Sequence, residues 1–278
     1  MTNGQLTHVQ DMARQMRLHI VDMVGKKDGK VGHLGGSMSA ADIVATLYFH
    51  KMKIDAANPS SPERDMFIMS KGHAALVQYA ALAIKGFFPV EELDKVKTLH
   101  SMLQGHPDMR KTPGIEVNTG SLGMGLSIGV GSALGFRADG RPNKVYVLIG
   151  DGETQEGQVW EAAMAAGSYY LDNLVAIVDQ NDLQATGPIT ERMSIGSLPA
   201  KFLANGWNVI ETDGHDIGAV AKALDDADAA KGMPTVIIAK TVKGKSVSFA
   251  EDKAAFHNCS LTREQYSQAI SDVDSYTC

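Results

Sequence analysis

Short apolar runs without polar interruptions constrain the fold of this chain most strongly. The clearest are VYVLI at 145–149 and LVAIV at 174–178, and each is bounded by turn residues. Strands with this composition are buried on both faces, as in a parallel sheet covered by helices. Segments with helical periodicity separate the runs. The sequence therefore predicts an α/β fold with a doubly wound, mainly parallel sheet flanked by helices, formed by a single domain over residues 1–278.

The predicted elements alternate along the chain. An apolar periodicity near 3.6 predicts a helix over about residues 9–24, and Ser39 is placed to cap the helix AADIVATLYFHKM. The segment GMGLSIGVGSALG is rich in small residues and predicts a helix that packs closely, against either the core or a partner. The predicted strands are DMFIMS, KVYVLIG, NLVAIVDQN, WNVIETDG and PTVIIAKT.

Composition excludes several classes of function. The net charge of −6 and the absence of a basic block argue against general binding to nucleic acid or a membrane surface. The apolar segments are shorter than the roughly 20 residues that span a bilayer. Cys259 and Cys278 lie near each other in the sequence and would constrain little as a disulfide, so we predict a reducing, cytoplasmic location.

Polar residues follow two of the apolar runs directly. Asp151, within Gly-Asp-Gly, and Asn181 are 30 residues apart, which is one strand–helix–strand crossover. If the two strands are neighbours, both side chains converge at the edge where ligands bind in such sheets. A carboxylate and an amide oxygen favour Mg²⁺ that shares its ligands with a phosphate. Gly150 and Gly152 would let the backbone approach a diphosphate, although a plain turn and a helix cap remain the alternative.

This spacing resembles the thiamine-diphosphate motif, and the surrounding sequence resembles the cofactor domain of transketolases. The resemblance covers nearly the whole chain. It is carried by GDGETQEGQVWEAAM with LDNLVAIVDQNDLQ, by GHLGG at 32–36, SKGHA at 70–74, GHPD at 105–108 and NTGSLGMGLS at 118–127, and by VKGKSVSFAEDKAAFHN.

The resemblance implies a cofactor site of thiamine diphosphate and Mg²⁺, for which Mn²⁺ or Ca²⁺ can substitute. Asp151, Asn181 and the carbonyl of Leu183 would bind the metal. The residues expected to contact the cofactor are His73, Gly120, Ser121, Leu122, Gly150, Asp151, Gly152, Glu156 and Asn181.

Four histidines match family motifs. An imidazole can exchange protons near neutral pH and bind sugar hydroxyls, whereas a lone histidine is more often structural. By resemblance, His106 would orient the transferred two-carbon unit, and His33 and His257 would contact substrate oxygens. His73 would lie against the cofactor. The other histidines, at positions 8, 19, 50, 100 and 215, match no motif and are expected to be structural.

Predictions also concern three further residues, Glu156, Asn258 and Ser246. By resemblance, Glu156 would lie at a subunit interface and contact the partner's cofactor-activating acid, and the alternative is a carboxylate favoured by a helix dipole. Asn258 and Ser246 stand where the family commonly has glycine. Side chains there could narrow the substrate entrance.

The resemblance also predicts the activity and the partner. A transketolase moves a two-carbon ketol unit from a ketose to an aldose, and its pyrimidine-binding and C-terminal domains are not recognised in this sequence. We therefore expect a second subunit that carries them, in a heterotetramer of two plus two. The donor sugar is open between pentose phosphates, apiose-derived ketoses and sulfonated ketoses. The alternatives are a subunit of another thiamine-dependent enzyme, such as an α-keto-acid dehydrogenase or deoxyxylulose-phosphate synthase, and a non-catalytic cofactor-binding paralogue.

Overall fold

A parallel five-stranded sheet forms the centre of the protein. The computed structural model describes residues 1–27 and 30–276. The sheet has the order β1-β2-β3-β7-β6, and every neighbouring pair is parallel. Its strands are β1 Met66–Met69, β2 Val145–Gly150, β3 Leu174–Gln180, β6 Asn208–Asp213 and β7 Thr235–Lys240. The predicted fold class is confirmed, and β2 and β3 are neighbours as expected.

Helices connect the strands and cover the sheet. The α-helices are α1 Asn3–Gly25, α2 Leu34–Ser39, α3 Ala41–Thr46, α4 Ala75–Lys85, α5 Met124–Ala138, α6 Gly157–Ser168, α7 Ile189–Arg192, α8 Leu198–Ala204, α9 Ile217–Ala229 and α10 Arg263–Ser275. A small antiparallel pair, β4 Leu183–Gln184 and β5 Gly187–Pro188, follows β3. Short 3-10 turns span Gly72–Ala74, Val90–Lys95, Gly152–Gln155 and Ala254–Phe256.

Both faces of the sheet are buried, because alternate residues of its strands enter two separate cores. In β2, Tyr146 and Leu148 face a core formed largely with α1, α3, α4 and α9. Val145, Val147 and Ile149 face the other core, which includes side chains of α5, α6 and α8. The unbroken apolar runs are thus the consequence of helices on both sides, as a doubly wound sheet requires.

The N-terminal helices differ from the prediction in one respect. The helix expected after Ser39 is divided into α3 and a π-helical segment, Leu47–Lys51. Ser39 does not cap it: Ala40 precedes α3, and the Ser39 hydroxyl donates instead to Asp179 Oδ2 at 2.6 Å. A buried carboxylate on β3 therefore determines the role of this serine.

Two expectations concern location and cysteine pairing. In the described part of the chain, no helix is long and apolar enough to cross a membrane. Cys259 is half-buried and free, whereas Cys278 lies outside the described residues. The predicted absence of a disulfide therefore remains a prediction, as does the cytoplasmic location.

Candidate active site

A cavity of about 350 Å³ lies at the carboxyl ends of β2 and β3. The parallel register places Gly150 beside Asp179, so the residues that follow the two strands converge. Most predicted site residues line this cavity: His33, His73, Gly120, Leu122, Gly150, Asp151, Gly152, Glu156, Asn181, Leu183 and His257. A larger open groove of about 820 Å³ beside His215 and Lys240 contains none of them.

Two predicted residues lie outside the lining of the cavity. His106 and Ser121 are exposed. The ring of His106 nevertheless lies directly behind Gly120, because a Cβ on this glycine would come within 3.0 Å of His106 Cδ2. The structure therefore places His106 at the edge of the site rather than within its walls.

The predicted metal ligands form one wall of the cavity. Asp151 and Asn181 are buried. The carboxylate of Asp151 accepts hydrogen bonds from the backbone N–H of Gly152 at 2.7 Å and of Asp182 at 2.5 Å. Burial, and after it the neighbouring carboxylate of Asp179, raises the pKa of Asp151 to about 7. A cation at this wall would favour the ionised carboxylate.

The donor set is too small to hold a cation by itself. Within residues 1–27 and 30–276, no group of three His, Cys, Asp or Glu side chains is placed to bind a metal ion. The wall offers one carboxylate, one amide oxygen and the carbonyl of Leu183. Mg²⁺ commonly completes such a partial set with water and phosphate oxygens, so these residues fit a metal that is shared with a diphosphate.

Three histidines also line the cavity. The ring centroids of His33 and His73 are 5.0 Å apart, those of His73 and His257 are 5.0 Å apart, and those of His33 and His257 are 5.4 Å apart. Burial, and after it nearby lysines, lowers the pKa of His33 to about 4 and that of His257 to about 3. Burial also lowers the pKa of His73. All three rings are therefore neutral at neutral pH.

Two of these imidazoles have unused hydrogen-bonding atoms. The Nδ1 atoms of His33 and His257 are buried and have no hydrogen-bond partner among the described residues. Such atoms are uncommon in folded proteins because an unmade hydrogen bond to a buried polar group costs about 1–3 kcal/mol. Their position at a cavity fits a polar ligand that supplies the missing partners.

Two buried lysines in the cavity were not predicted. Lys71 Nζ donates to the carbonyl of Gly36 at 2.8 Å and forms an ion pair with Asp179. Lys243 Nζ donates to the carbonyl of Leu183 at 2.7 Å, and burial lowers the pKa of Lys243 to about 8. Each lysine follows a strand of the sheet and lies in a quoted motif, SKGHA or VKGKS. A buried strand followed by a lysine two or three residues later was the available signal, and two such cations fit a diphosphate.

Glu156 lies at the exposed rim of the cavity. It precedes α6, but its side chain accepts no hydrogen bond from the first turn of that helix. Gly123 packs against it, since a Cβ on Gly123 would come within 2.8 Å of Glu156 Cβ. Its predicted contact with a partner subunit remains a prediction.

The two departures from the family pattern do not line the cavity. Ser246 is 6% exposed, and its hydroxyl has no hydrogen-bond partner within the described chain. Its backbone is left-handed, with φ of 71°. This is the conformation that glycine adopts without strain. Asn258 is exposed.

Comparison with known proteins shows the family to which the chain belongs. Residues 8–273 match the family described as "Transketolase, thiamine diphosphate binding domain". The chain is 45% identical over 269 residues to the 6-deoxy-6-sulfo-D-fructose transketolase subunit SqwG of Clostridium sp. (strain MSTE9), covering 97% of this chain and 96% of that protein. It is 41% identical to an apulose-4-phosphate transketolase subunit from Phocaeicola vulgatus, covering 97% and 95%.

Solved structures give the same result for the fold. Transketolase from Leishmania mexicana superposes with a TM-score of 0.88 at 31% identity, and the match covers 96% of this chain but only 41% of the Leishmania chain. The present sequence thus spans less than half of that enzyme, while it spans almost all of the two bacterial subunits. The predicted family is confirmed: the chain belongs to the transketolase family and has its thiamine diphosphate binding domain.

Proposed function

We propose that this chain is the cofactor-binding subunit of a two-chain transketolase, formed by a single domain over residues 1–278. It would transfer a two-carbon ketol unit from a ketose to an aldose. The observation that carries this proposal is the composition of the cavity, whose lining combines metal-type oxygen donors, two buried lysines and three neutral histidines. The packing of the chain leaves the buried Nδ1 atoms of His33 and His257 without partners among the described residues.

The cofactor would bind along the strand ends. Asp151, Asn181 and the carbonyl of Leu183 would hold Mg²⁺, and Lys71 and Lys243 would neutralise the diphosphate. Backbone at Gly120, Ser121, Leu122, Gly150 and Gly152 would approach the cofactor closely. Thiamine diphosphate supplies the carbanion chemistry that cleaves the bond beside a ketose carbonyl.

The histidines would act on the substrate. Because they are neutral, His33 and His257 can donate or accept hydrogen bonds to sugar oxygens and can take part in proton exchange. Their unpartnered Nδ1 atoms support this role. His106, at the edge of the site, would orient the transferred unit, and His73 would contact the cofactor.

A partner subunit would complete the site. The rim of the cavity continues into an exposed face of α5 and α6, where Met124 and Met164 are 45% and 53% exposed. Added Cβ atoms on Gly131 and Gly135 of α5 would meet no other atom within 4 Å. This face therefore favours partner contact over core packing for the exposed small residues of α5. A heterotetramer of two plus two, with Glu156 at an interface, is the simplest arrangement.

The donor substrate would carry an anionic group. The two bacterial relatives are named for a ketose with a sulfonate and a ketose with a phosphate. We propose a ketose of this class, whose charged end would be held largely by the partner subunit.

An activity assay tests the proposal. The purified chain should transfer no two-carbon unit from a panel of phosphorylated and sulfonated ketoses when thiamine diphosphate and Mg²⁺ are present. Adding a partner with the pyrimidine-binding domain should restore transfer. Robust turnover by the chain alone would contradict the two-chain arrangement. Cofactor binding without transfer in any complex would support a non-catalytic paralogue instead.

A further inference from the structure

The side chain of Glu153 forms part of the wall of the cavity, although Glu153 was not among the residues predicted to form the site. It is 3% exposed. Its Oε1 accepts hydrogen bonds from the backbone N–H of Gly123 at 2.9 Å and from the hydroxyl of Ser70. Its Oε2 accepts from the backbone N–H of Gly150 at 3.0 Å. One carboxylate therefore accepts three hydrogen bonds.

The three donors belong to three segments that reach the cavity separately. Gly150 ends β2 and precedes Asp151. Gly123 follows the loop 120–122, and Ser70 follows β1 and precedes Lys71. Gly123 and Ser70 are 30 and 83 residues from Glu153 in the sequence, so the carboxylate of Glu153 holds two distant segments beside the turn that follows β2.

Local geometry leaves the anchored loop little freedom. Gly123 has φ of 83°, and a Cβ there would come within 2.8 Å of Glu156 Cβ. Because Glu156 lies this close to Gly123, the loop has little room to turn the Gly123 N–H away from Glu153. The hydrogen bond to Glu153 thus sets the position of the loop 120–122 relative to the Gly-Asp-Gly turn.

The chemistry of the anchor requires a carboxylate. All three partners are donors, and an ionised carboxylate offers only acceptors. Burial raises the pKa of Glu153, and the hydrogen bonds from Ser70, Gly123 and Gly150 oppose that increase, as does the charge of Lys71. Glutamine has the same shape, but its amide N–H would face at least one N–H or O–H donor.

We propose that Glu153 is a positioning residue for diphosphate binding, because it fixes the backbone of the two cavity segments that end at Gly123 and Gly150. It would act through these segments and would not contact the substrate. The inference rests on the proposed function, since it presumes that the cavity binds thiamine diphosphate.

A titration of the full-length chain with thiamine diphosphate and Mg²⁺ tests the role. Glu153→Gln should raise the apparent Kd about tenfold, or about 1.4 kcal/mol, while far-UV circular dichroism stays unchanged. Trp160 is a suitable probe, because its indole N–H donates to the carbonyl of Thr154 at 2.8 Å, beside Glu153. Glu161→Gln is the matched control: Glu161 is exposed on α6 and should leave the affinity unchanged. Wild-type affinity in Glu153→Gln would overturn the proposal.

Turnover separates positioning from a general structural role. In the complex with the partner subunit, Glu153→Gln should regain most of the wild-type kcat at saturating thiamine diphosphate, with the change confined to the cofactor concentration required. A lowered kcat at saturation would overturn the positioning role.

Two outcomes remain to be distinguished. If Glu153→Gln does not fold, Ser70→Ala replaces it. This variant removes one hydrogen-bond donor of the carboxylate and should raise the Kd for thiamine diphosphate about threefold. An unchanged Kd would count against the proposal. If the wild-type chain binds no thiamine diphosphate even when Mg²⁺ and the partner subunit are present, the proposed function fails, and the role of Glu153 fails with it.

Discussion

Two groups of buried polar side chains meet at consecutive residues, Val242 and Lys243, and they differ in how the charge of their carboxylate, Asp42 or Asp151, is balanced. In the first group, Arg17 donates twice to Asp42, at 2.8 and 2.6 Å. His215 Nδ1 lies 2.9 Å from Asp42 Oδ2, and its Nε2 accepts from the backbone N–H of Val242 at 2.9 Å. We call these three side chains the Arg17 cluster.

The second group consists of the polar side chains that line the cavity. His33 and His257 have buried Nδ1 atoms without partners in the described chain, and Asp151 has a raised pKa. In the Arg17 cluster, burial alone would raise the pKa of Asp42, but Arg17 and His215 outweigh burial and lower it to about 2. The comparison teaches that Asp42 has its counter-charge within the chain, whereas Asp151 lies beside further carboxylates and would gain a counter-charge from a bound cation.

Breaking the Arg17 cluster should have the largest effect on stability. Arg17→Met leaves the charge of Asp42 buried with one partner fewer, so the free energy of unfolding should fall by about 3–5 kcal/mol. Denaturant-induced unfolding measures this. The control is Arg14→Met on the same helix, whose partly exposed ion pair with Asp274 should contribute no more than about 1 kcal/mol. Equal losses of unfolding free energy in both variants would show that the buried cluster stabilises the chain no more than a surface ion pair does.

The Arg17 cluster should also produce a defined acid dependence. Because the folded-state pKa of Asp42 is about 2 and the unfolded value is near 4, its stabilisation is complete above pH 4. It should be lost as the pH falls towards 2, by about 2 kcal/mol. Unfolding free energies of the wild type and Asp42→Asn, compared from pH 5 down to pH 2.5, should converge. A gap that widens with acidification would contradict this sign.

Mutations in the cavity should mainly change the affinity for the ligand rather than the stability of the chain. Asp151→Ala removes the anionic metal donor and should weaken Mg²⁺-dependent binding of thiamine diphosphate at least tenfold, about 1.4 kcal/mol or more. The stability of the ligand-free chain should change much less than in Arg17→Met. Calorimetric titration gives the affinity, and Asp139→Ala at an exposed position is the control. Unchanged affinity in Asp151→Ala would exclude this residue as a ligand.

The smallest effect is expected at Ser246. A non-glycine residue at φ of 71° is strained, so Ser246→Gly should stabilise the chain by up to about 1 kcal/mol without changing cofactor affinity. Ser248→Gly is the matched control: the Ser248 hydroxyl donates to Asp272 at 2.7 Å, and its loss should be destabilising. Thermal unfolding of both variants tests the difference, and a destabilised Ser246→Gly would show that the serine contributes more than strain.

The sequence predicts the sheet and the metal-type ligands because both depend on local patterns. Unbroken apolar runs indicate strands that are buried on both faces, and a polar residue after such a run lies at the ligand-binding edge. Asp151 and Asn181 could therefore be placed before the structure was known.

Other features depend on contacts between distant segments. Ser39 fits a local capping pattern but bonds to Asp179, 140 residues away. The roles of Lys71, Lys243 and Glu153 depend on which strand ends meet, and the unpartnered nitrogens of His33 and His257 depend on the shape of the cavity. No periodicity or short motif contains that information.

The most direct test of the central claim is a calorimetric titration of the wild-type chain with thiamine diphosphate in the presence and absence of Mg²⁺. We expect saturable binding that requires Mg²⁺, because Asp151 and Asn181 would hold the metal beside the diphosphate and the charge of Asp151 would then be balanced. Equal binding without any divalent cation, or no binding when Mg²⁺ and the partner subunit are both present, would contradict the claim that this cavity is completed by a metal and a cofactor.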